Sequence, residues 1–314
     1  MSKTTILIAI GGNALSPGET TGNIHEQFAH TREALRSIMA FLRRGYRLAI
    51  THGNGPQVGE ELLRVELAAD RVPPLPLGVC VAATQGTMGY MIEQSLQNAL
   101  VDEGIERDVV SLITQVVVDA NDPALELPSK YIGDRYTKER ADNLARRFGW
   151  KIGEQEDSMW RRVVPSPTPI SLINCKSIKH LVDIGSIVIA SGGGGIPAYI
   201  MKNGHYEGVD AVIDKDLAAA VLGTDIGAQD MYILTDVPEV YLYFQTDRQQ
   251  PVRRMSVKEA QIYLDDGHFL HGTMGPKIEA AQHFLLQGGQ RVIITDTDTV
   301  EPALAGEGGT TIYP

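Results

Sequence analysis

The sequence repeats one local pattern, in which a short apolar segment runs into a glycine-rich loop and then into a segment with helical periodicity. Thr4–Ile10 leads directly into a pair of glycines, and the apolar segment 46–51 leads into the loop Thr51–Gly59. Between these two segments, the apolar residues of 33–44 recur at helical spacing. The order strand, helix, strand predicts a βαβ unit, which implies a parallel sheet. We therefore expect an α/β fold.

The first two loops follow neighbouring predicted strands, and open α/β sheets bind ligands at the carboxyl ends of such strands. Gly11 and Gly12 let the backbone approach a ligand closely, and Asn13 adds a neutral donor. In the second loop, Gly55 precedes Pro56, a residue favoured in a first helical turn. An ordinary tight turn explains the first loop equally well. The occurrence of both loops together favours a ligand site.

A third glycine loop places a lysine at the start of a predicted helix. Met274 and Gly275 lead through Pro276 to Lys277, and the apolar residues of 278–285 continue at helical spacing. A cation in a first helical turn opposes the helix dipole by roughly 0.3–1 kcal/mol, whereas the free N–H groups there attract anions. The position is understandable if Lys277 and the loop face the same anion. A solvated surface lysine is the alternative interpretation.

Two further lysines extend this pattern. Lys215 stands beside Asp216, a good helix-start residue, and so repeats the arrangement at Lys277. Lys130 lies near the root of the segment 121–169, whose many prolines and charges predict an inserted subdomain or lid. Considered by itself, Lys130 is more typical of a surface lysine.

Other segments carry simpler predictions. Four consecutive glycines, 192–195, are costly in chain entropy and suggest a backbone crowded against a ligand or another loop. The largely apolar segment 78–100 predicts a buried helix, with a subunit interface as one interpretation, and 109–119 predicts one strand. Ser256–Glu259 predicts a capping box that opens a helix.

Composition excludes several classes of protein. The 314-residue chain has a net charge of −11 and no run of Lys or Arg that could follow a nucleic-acid backbone, so we expect no nucleic-acid partner. No apolar run is long enough to span a bilayer and no signal-peptide pattern opens the chain, so we expect a cytoplasmic protein with no membrane partner. Cys80 and Cys175 form no metal or redox pattern and are expected to be buried free thiols.

Several common catalytic motifs are missing from the sequence. It contains no Walker A loop, no GxGxxG after a predicted strand and no GxSxG, and His25 and His30 have the wrong spacing for a zinc-binding helix. Glycine loops, isolated lysines and one acid remain. This inventory suits phosphoryl transfer, in which backbone N–H groups and lysines neutralise the charge of the transferred group. Asp216 would orient the lysines or help to hold a magnesium ion bound mainly by phosphate oxygens.

The glycine loops and lysines also follow the order of a known family. From Ile6 to Ile312 the chain resembles the carbamate kinases, a branch of the amino-acid kinase family. Any one matching segment also occurs in other amino-acid kinases, and their combination with the inserted segment points to the carbamate kinase branch. The matching segments are Gly11–Leu15, Thr51–Gly59, Val163–Pro167, Gly192–Pro197, Ala211–Ala218, Ile233–Val237 and Met274–Lys277.

The resemblance implies a three-layer α/β/α sandwich around a mostly parallel open sheet, with a small inserted lid subdomain. Residues 1–314 would form a single domain, with a substrate lobe at 1–180 that includes the lid at 121–169 and a nucleotide lobe at 181–314. The implied reaction is reversible phosphoryl transfer between ATP and carbamate, giving ADP and carbamoyl phosphate, and it commonly runs toward ATP. The implied cofactors are ATP/ADP and Mg²⁺, and the implied protein partner is a second copy in a homodimer.

The resemblance also implies roles for individual residues, carried over by motif. The catalytic residues would be Lys130, Lys215, Asp216 and Lys277. Residues that bind the carbamate end and the transferred phosphoryl group would be Gly11, Gly12, Asn13, Gly53, Asn54 and Gly55. The nucleotide would lie near Thr235, Asp236, Tyr241, Met274 and Gly275. The chain would offer no dedicated metal site of its own.

The chain departs from the pattern of the family at three positions. Carbamate kinases usually have proline where this chain has Tyr131 and Asp134, and an acid where it has Pro238. These differences concern the lid and the nucleotide site, and they leave open a divergent paralogue that acts on a related carbamoyl compound. The sequence also leaves open a different amino-acid kinase, against which the inserted segment argues, and a regulatory subunit that binds nucleotide or carbamoyl phosphate without turnover.

Overall fold

The computed structural model describes residues 4–15, 23–155, 157–269 and 273–314. Its described strands are β1 (Thr5–Ile10), β2 (Arg47–His52), β3 (Val109–Ser111), β4 (Gln115–Val118), β5 (Lys130–Tyr136), β6 (Ile152–Glu154), β7 (Trp160–Val164), β8 (Pro169–Leu172), β9 (Ile187–Ile189), β10 (Ile196–Ile200), β11 (Tyr206–Gly208), β12 (Asp230–Leu234), β13 (Val240–Leu242), β14 (Gln250–Val252), β15 (Arg254–Ser256), β16 (Arg291–Thr295) and β17 (Thr310–Tyr313). Its described helices are α1 (Gly12–Leu15), α2 (Ile24–Arg43), α3 (Gly55–Ala68), α4 (Leu77–Asp102), α5 (Lys138–Phe148), α6 (Cys175–Asp183), α7 (Lys215–Ile226), α8 (Val257–Asp265), α9 (Met274–Leu286) and α10 (Val300–Ala305).

Eight strands form a central sheet in the order β15-β17-β16-β12-β1-β2-β9-β3. Neighbouring strands in it are parallel, except for the antiparallel pair β16 and β17. β1 and β2 run side by side, with Thr5 opposite Arg47 and Ile10 opposite His52, and the connection between them contains α2. The predicted βαβ unit and the mostly parallel sheet are therefore confirmed.

Different helices cover the two faces of this sheet. In β1, Leu7 and Ala9 belong to a core that contains buried residues of α6, α7, α8 and α9. Ile6 and Ile8 belong to a second core with buried residues of α2, α4 and α10. Because successive side chains of a strand point to opposite faces, this alternation places helices on both sides of the sheet. The predicted three-layer α/β/α sandwich is confirmed.

The segment 109–119, predicted as one strand, forms two strands in different sheets. β3 pairs with β9 at the edge of the central sheet, whereas β4 joins a four-stranded sheet of order β11-β10-β4-β8. The chain changes sheets around Thr114, which is fully buried and whose N–H donates to Oε1 of Gln85 (2.7 Å). The prediction of one strand is wrong, because an apolar run does not reveal which sheet each half of it joins.

Helix α2 begins at Ile24, well before the segment 33–44 in which the apolar spacing predicted it. Its first turns bury the polar residues Gln27 and Thr31. These turns therefore lack the apolar repeat by which a helix is recognised in a sequence.

A small subdomain, defined here as residues 130–164, is inserted between β4 and β8. Its three antiparallel strands lie in the order β5-β7-β6, and α5 packs beside them. Thr137 caps α5, and Gly149 ends it in the left-handed conformation (φ 69°). The predicted inserted subdomain is confirmed, and its strands and helix occupy 130–164 of the predicted segment 121–169.

Cys80 is a buried free thiol, as expected, whereas Cys175 is only half-buried at the first position of α6. None of the described helices combines the length and the apolar character that a bilayer crossing requires.

Candidate active site

The first two glycine loops meet at the carboxyl ends of the parallel strands of the central sheet. β1, β2, β12 and β16 lie next to one another and run parallel, so the loops that follow them lie together. The N–H of Gly11 donates to the carbonyl of Leu234 (2.9 Å), and the N–H of Gly53 donates to the carbonyl of Ile10 (3.0 Å). These bonds continue the sheet pairing past the strand ends and hold the first two loops side by side.

Gly53 stands where the two loops and a lysine come into contact. A Cβ atom on this residue would lie 2.8 Å from the backbone nitrogen of Gly12 and 3.3 Å from Cδ of Lys215. Because Cβ atoms do not approach a backbone nitrogen that closely, a larger residue would push the loops apart. Glycine at this position therefore lets both loops and the lysine stem pack together.

Two of the predicted lysines share one buried carboxylate. Nζ of Lys215 lies 2.5 Å from Oδ1 of Asp216, and Nζ of Lys277 lies 3.1 Å from its Oδ2. The Asp216 side chain is 4% exposed, and the lysine side chains are 17% and 13% exposed. Burial raises the pKa of the Asp216 carboxyl, but the two ammonium groups outweigh this effect and hold the pKa below its ordinary value. The Asp216 carboxyl is therefore ionised at pH 7, and because two lysines share this one carboxylate, the formal charge of the cluster is positive.

The start of α7 explains why Asp216 is available to the lysines. The cap of this helix is Asp214, whose Oδ1 accepts hydrogen bonds from the N–H groups of Asp216 (2.9 Å) and Leu217 (3.4 Å). Asp216 lies in the first turn of α7, which agrees with its predicted place at a helix start, while Asp214 is the capping residue. Because Asp214 satisfies the free N–H groups, both carboxylate oxygens of Asp216 can bind lysines.

Lys130 reaches the same helix start from the small subdomain. Its Nζ lies 2.9 Å from Oδ2 of Asp214, and its side chain is 38% exposed. Lys130, Lys215 and Lys277 therefore come together in space, although Lys130 pairs with a different carboxylate from the other two. Both carboxylates belong to the first residues around the start of α7.

The glycine run 192–195 lies directly over the second loop. A Cβ atom on Gly192 would lie 2.5 Å from Nε2 of His52, and one on Gly193 would lie 2.2 Å from Cγ of Asn54. The Gln85 side chain donates to the carbonyl of Gly192 (3.1 Å) and fixes the run from α4. The predicted crowding of this backbone is confirmed, and the crowding partner is a neighbouring loop.

His52 and Asn54 make contacts that support the loops. Burial lowers the pKa of His52, the hydrogen bond to the Gly53 carbonyl partly offsets this effect, and the charge of Lys215 lowers the pKa further. The imidazole is therefore neutral at pH 7. The amide of Asn54 donates to Oγ1 of Thr84 (2.9 Å). Both side chains tie the second loop to its surroundings.

A cavity of about 690 Å³ opens beside the lysines. Gly11, Gly12, Lys215 and Lys277 line one part of it, and of the residues expected near a nucleotide, Thr235, Asp236, Tyr241 and Met274 also line it. Gly275 is buried in the first turn of α9, and Gly55 begins α3; in the described part of the chain, neither lines this cavity. The side chain of Asn13 lies outside the described residues.

Several cavity residues escaped the sequence analysis. Asp296, Thr297 and Asp298 follow β16, and aromatic side chains come from two other loops, namely Phe244, His268 and Phe269. The end of β16 could have been included had the sheet order been known, because β16 neighbours β12. No sequence signal indicates that the aromatic residues meet, since they lie in separate irregular segments.

The fold and the site together define a class of protein. The cavity has the size used for small ligands and cofactors. Strand ends, glycine loops and a lysine cluster with a positive formal charge surround it, and this arrangement is suited to binding phosphoryl groups. The match to a known family makes the identification specific. Residues 4–296 match the model of the amino acid kinase family, and the chain belongs to this family.

Comparisons with individual proteins point to one branch of the family. The chain is 45% identical to the carbamate kinase of Pyrococcus furiosus over 311 residues, which cover 98% of this chain and 99% of that protein. It is 42% identical to the carbamate kinase of Trichomonas vaginalis, again covering 98% of this chain and 99% of that protein. A solved structure of the carbamate kinase from Giardia lamblia bound to AMP-PNP has a TM-score of 0.92, at 37% identity, and covers 99% of this chain and 98% of that chain. The resemblance predicted from the sequence is confirmed.

Proposed function

We propose that this protein is a carbamate kinase, which transfers a phosphoryl group reversibly between ATP and carbamate. The observation that carries the proposal is the pair Lys215 and Lys277, both held by Asp216 at one end of a cavity that is large enough for a nucleotide. In the direction that makes ATP, a terminal oxygen of ADP attacks the phosphorus of carbamoyl phosphate, and carbamate leaves with the electrons of the broken P–O bond.

The lysine cluster would supply the main electrostatic contribution. Negative charge on the transferred phosphoryl group spreads over its equatorial oxygens, and catalysis of such a transfer depends on positioning and neutralisation. Lys215 and Lys277 are fixed by a buried carboxylate, so their charges are already in place before the reaction begins. The N–H groups of the loop at Gly11 and Gly12 would hold phosphoryl oxygens beside them.

We assign the remaining predicted residues to the two ends of the substrate pair. Thr235, Asp236, Tyr241, Met274 and Gly275 would surround the nucleotide, as the cavity contacts of the first four support. On the other side of Gly12, the carbamate end would lie near Asn13, Gly53, Asn54, Gly55 and Lys130. This arrangement corresponds to a substrate lobe at 1–180 and a nucleotide lobe at 181–314. We also propose that the protein is cytoplasmic.

Magnesium fits this site as a companion of the nucleotide. The described residues include no group of three or more His, Cys, Asp or Glu side chains placed to hold a metal ion. Asp214 and Asp216 already bind lysines, while Asp236 and Asp296 offer carboxylates on the cavity wall. Mg²⁺ prefers phosphate oxygens, water and one or two carboxylates, and it would neutralise charge on the nucleotide phosphates. A dedicated protein site is not needed.

We infer that a second copy of the chain packs against α4. Val79, Tyr90 and Val101 are 47%, 58% and 71% exposed, and their spacing places them on one line along the helix. All of α4 is described, and the exposed positions between Val79 and Val101 carry no charged side chain. Uncharged, partly apolar surfaces of this kind are typical of isologous dimers. By sedimentation, Tyr90→Lys should be monomeric, whereas Tyr206→Lys, on another exposed surface, should remain dimeric.

The experiment that tests the function measures ATP formation from ADP, magnesium and carbamoyl phosphate by the purified protein. We expect turnover that depends on all three components. Thermal stabilisation by carbamoyl phosphate or ADP without turnover would favour the regulatory subunit. Turnover with an acylated amino acid or a nucleotide acceptor, but not with carbamoyl phosphate, would favour a different amino-acid kinase.

A further inference from the structure

Among the described residues, the side-chain hydrogen bonds and ion pairs named below between the small subdomain and the main body all have the same polarity, and they add to a small apolar cluster. Acidic side chains of the main body bind basic or phenolic side chains of the subdomain. The pairs are Glu66 with Tyr136 and Arg140, Asp70 with Arg147, Asp210 with Arg162, and Asp214 with Lys130. Among these pairs, the one with Asp214 contains a residue that the proposed function places at the reacting group.

Asp214 divides its two carboxylate oxygens between two tasks. Oδ1 accepts the N–H groups of Asp216 and Leu217 and so begins α7. Oδ2 accepts Lys130 Nζ at 2.9 Å. Both oxygens of Asp216 are occupied by Lys215 and Lys277, so the neighbouring carboxylate holds the third lysine.

We propose that Asp214 is the positioning residue for Lys130, and this inference rests on the proposed phosphoryl transfer. Oδ1 of Asp214 caps α7, the helix that also carries Asp216. The position at which Asp214 binds Lys130 is therefore fixed relative to Lys215 and Lys277. The subdomain thereby delivers its cation beside the lysine pair. Losing this contact leaves Lys130 on a long, partly exposed side chain with many rotamers.

Asp214→Asn separates the two tasks. Asparagine caps helices as well as aspartate does, because its side-chain oxygen still accepts the N–H groups. It carries no charge to hold Lys130. We expect kcat in the ADP-phosphorylation assay to fall about fivefold, the size typical of a partly exposed ion pair. The KM for ADP and the melting temperature should stay the same, whereas Asp214→Ala, which loses the cap as well, should melt earlier.

Asp210→Asn is a matched control. Oδ1 of Asp210 accepts a hydrogen bond from the backbone N–H of Leu77 (3.1 Å). Its Oδ2 accepts one from the guanidinium of Arg162 in the subdomain (3.3 Å). The substitution Asp210→Asn should therefore weaken the docking of the subdomain at a residue that does not pair with Lys130. Any loss of kcat caused by Asp210→Asn should be the same in a protein that retains Lys130 and in one that carries Lys130→Met. In contrast, Asp214→Asn should change kcat by no more than about twofold once Lys130→Met is present.

A second measurement does not require turnover. The only two tryptophans of the chain, Trp150 and Trp160, lie in the subdomain, so tryptophan anisotropy reports on its motion. We expect lower anisotropy in Asp214→Asn than in the wild type, and no change in Asp183→Asn, a matched substitution on α6. A role confined to capping α7 would not move this signal.

The outcomes separate this inference from the proposed function. Equal loss of kcat from Asp214→Asn with and without Lys130→Met would overturn the positioning role while the protein remains a carbamate kinase. If the wild type shows no turnover, the proposed function fails, and unchanged anisotropy in Asp214→Asn would then overturn the contact as a determinant of subdomain position.

Discussion

Two carboxylates at the start of the same helix bind lysines, and the two groups differ in how firmly the fold holds them. Lys215 and Lys277 are only 17% and 13% exposed around the buried Asp216, whereas Lys130 remains 38% exposed beside Asp214. Charges excluded from water interact strongly and are little affected by salt, while exposed pairs contribute little and are screened. The main body therefore offers a preformed cation pair, and the subdomain adds a cation that depends on docking.

The cause of this difference is the packing behind each lysine. α7 and α9 pack against each other over the central sheet, and their buried residues belong to the larger apolar core. β5 carries Lys130 on a three-stranded sheet, and only Ile132 and Val164 of this sheet join a small cluster with α3 and α4. A site built on large packed elements keeps its geometry, whereas one carried by a small unit depends on surface contacts.

The largest effect is expected when the buried pair is broken. Lys277→Ala should lower kcat by about two to three orders of magnitude, comparable to the loss of one preorganised donor at about 3–4 kcal/mol. Steady-state ADP phosphorylation measures this change, with Lys258→Ala on the exposed side of α8 as the control. Full kcat in Lys277→Ala would remove this lysine from the mechanism and abolish the comparison.

The second largest effect is expected when a methyl group is added at Gly53, between the first two loops. In Gly53→Ala the new methyl group meets the Gly12 backbone, so we expect a loss of about 1–3 kcal/mol in the free energy of unfolding and a lower kcat. Gly208→Ala is the control, because a Cβ atom there has open space. Urea unfolding and the kinetic assay measure both effects. Wild-type stability in Gly53→Ala would contradict the tight packing of the two loops.

The free energy of unfolding should depend on pH because of the buried His52. Its folded pKa lies below the unfolded value of about 6.5, so the unfolded chain binds the proton first as pH falls. The free energy of unfolding should be constant for this group above about pH 6.5 and fall below it, by at most about 1.4 kcal/mol per pH unit. In His52→Gln this slope should disappear. The depressed pKa of Asp216 adds a separate decline below about pH 4.

The smallest effect concerns the exposed pair. Raising the salt concentration from about 0.05 M to about 0.5 M should screen Lys130 from Asp214 and slightly lower the tryptophan anisotropy of the subdomain. Asp214→Asn should show a smaller dependence on salt, which comes from the remaining ion pairs of the subdomain, such as Asp70 with Arg147. The relative loss of kcat in Lys277→Ala should be the same at both concentrations. If salt instead changed that ratio strongly, the lysine pair would be no better shielded than Lys130.

Local patterns in the sequence were sufficient for much of the fold. The strand–helix–strand opening and the capping box at Ser256–Glu259 appear as predicted, because both depend on residues a few positions apart. The apolar pattern places the start of α2 too late because its first turns bury polar residues. It also does not divide 109–119 into two strands, because sheet membership is a long-range property. The roles of the individual site residues, and the division into lobes, stay predictions.

The sequence by itself determined the α/β class, the glycine loops and the presence of unusual lysines near helix starts, since each of these features is encoded by nearby residues. Only the tertiary structure decided which charges meet. Lys277 and Asp216 are 61 positions apart, and Lys130 and Asp214 are 84 positions apart. Contacts over such separations follow from sheet order and helix packing, and the same packing decides how much of each lysine side chain is shielded from water.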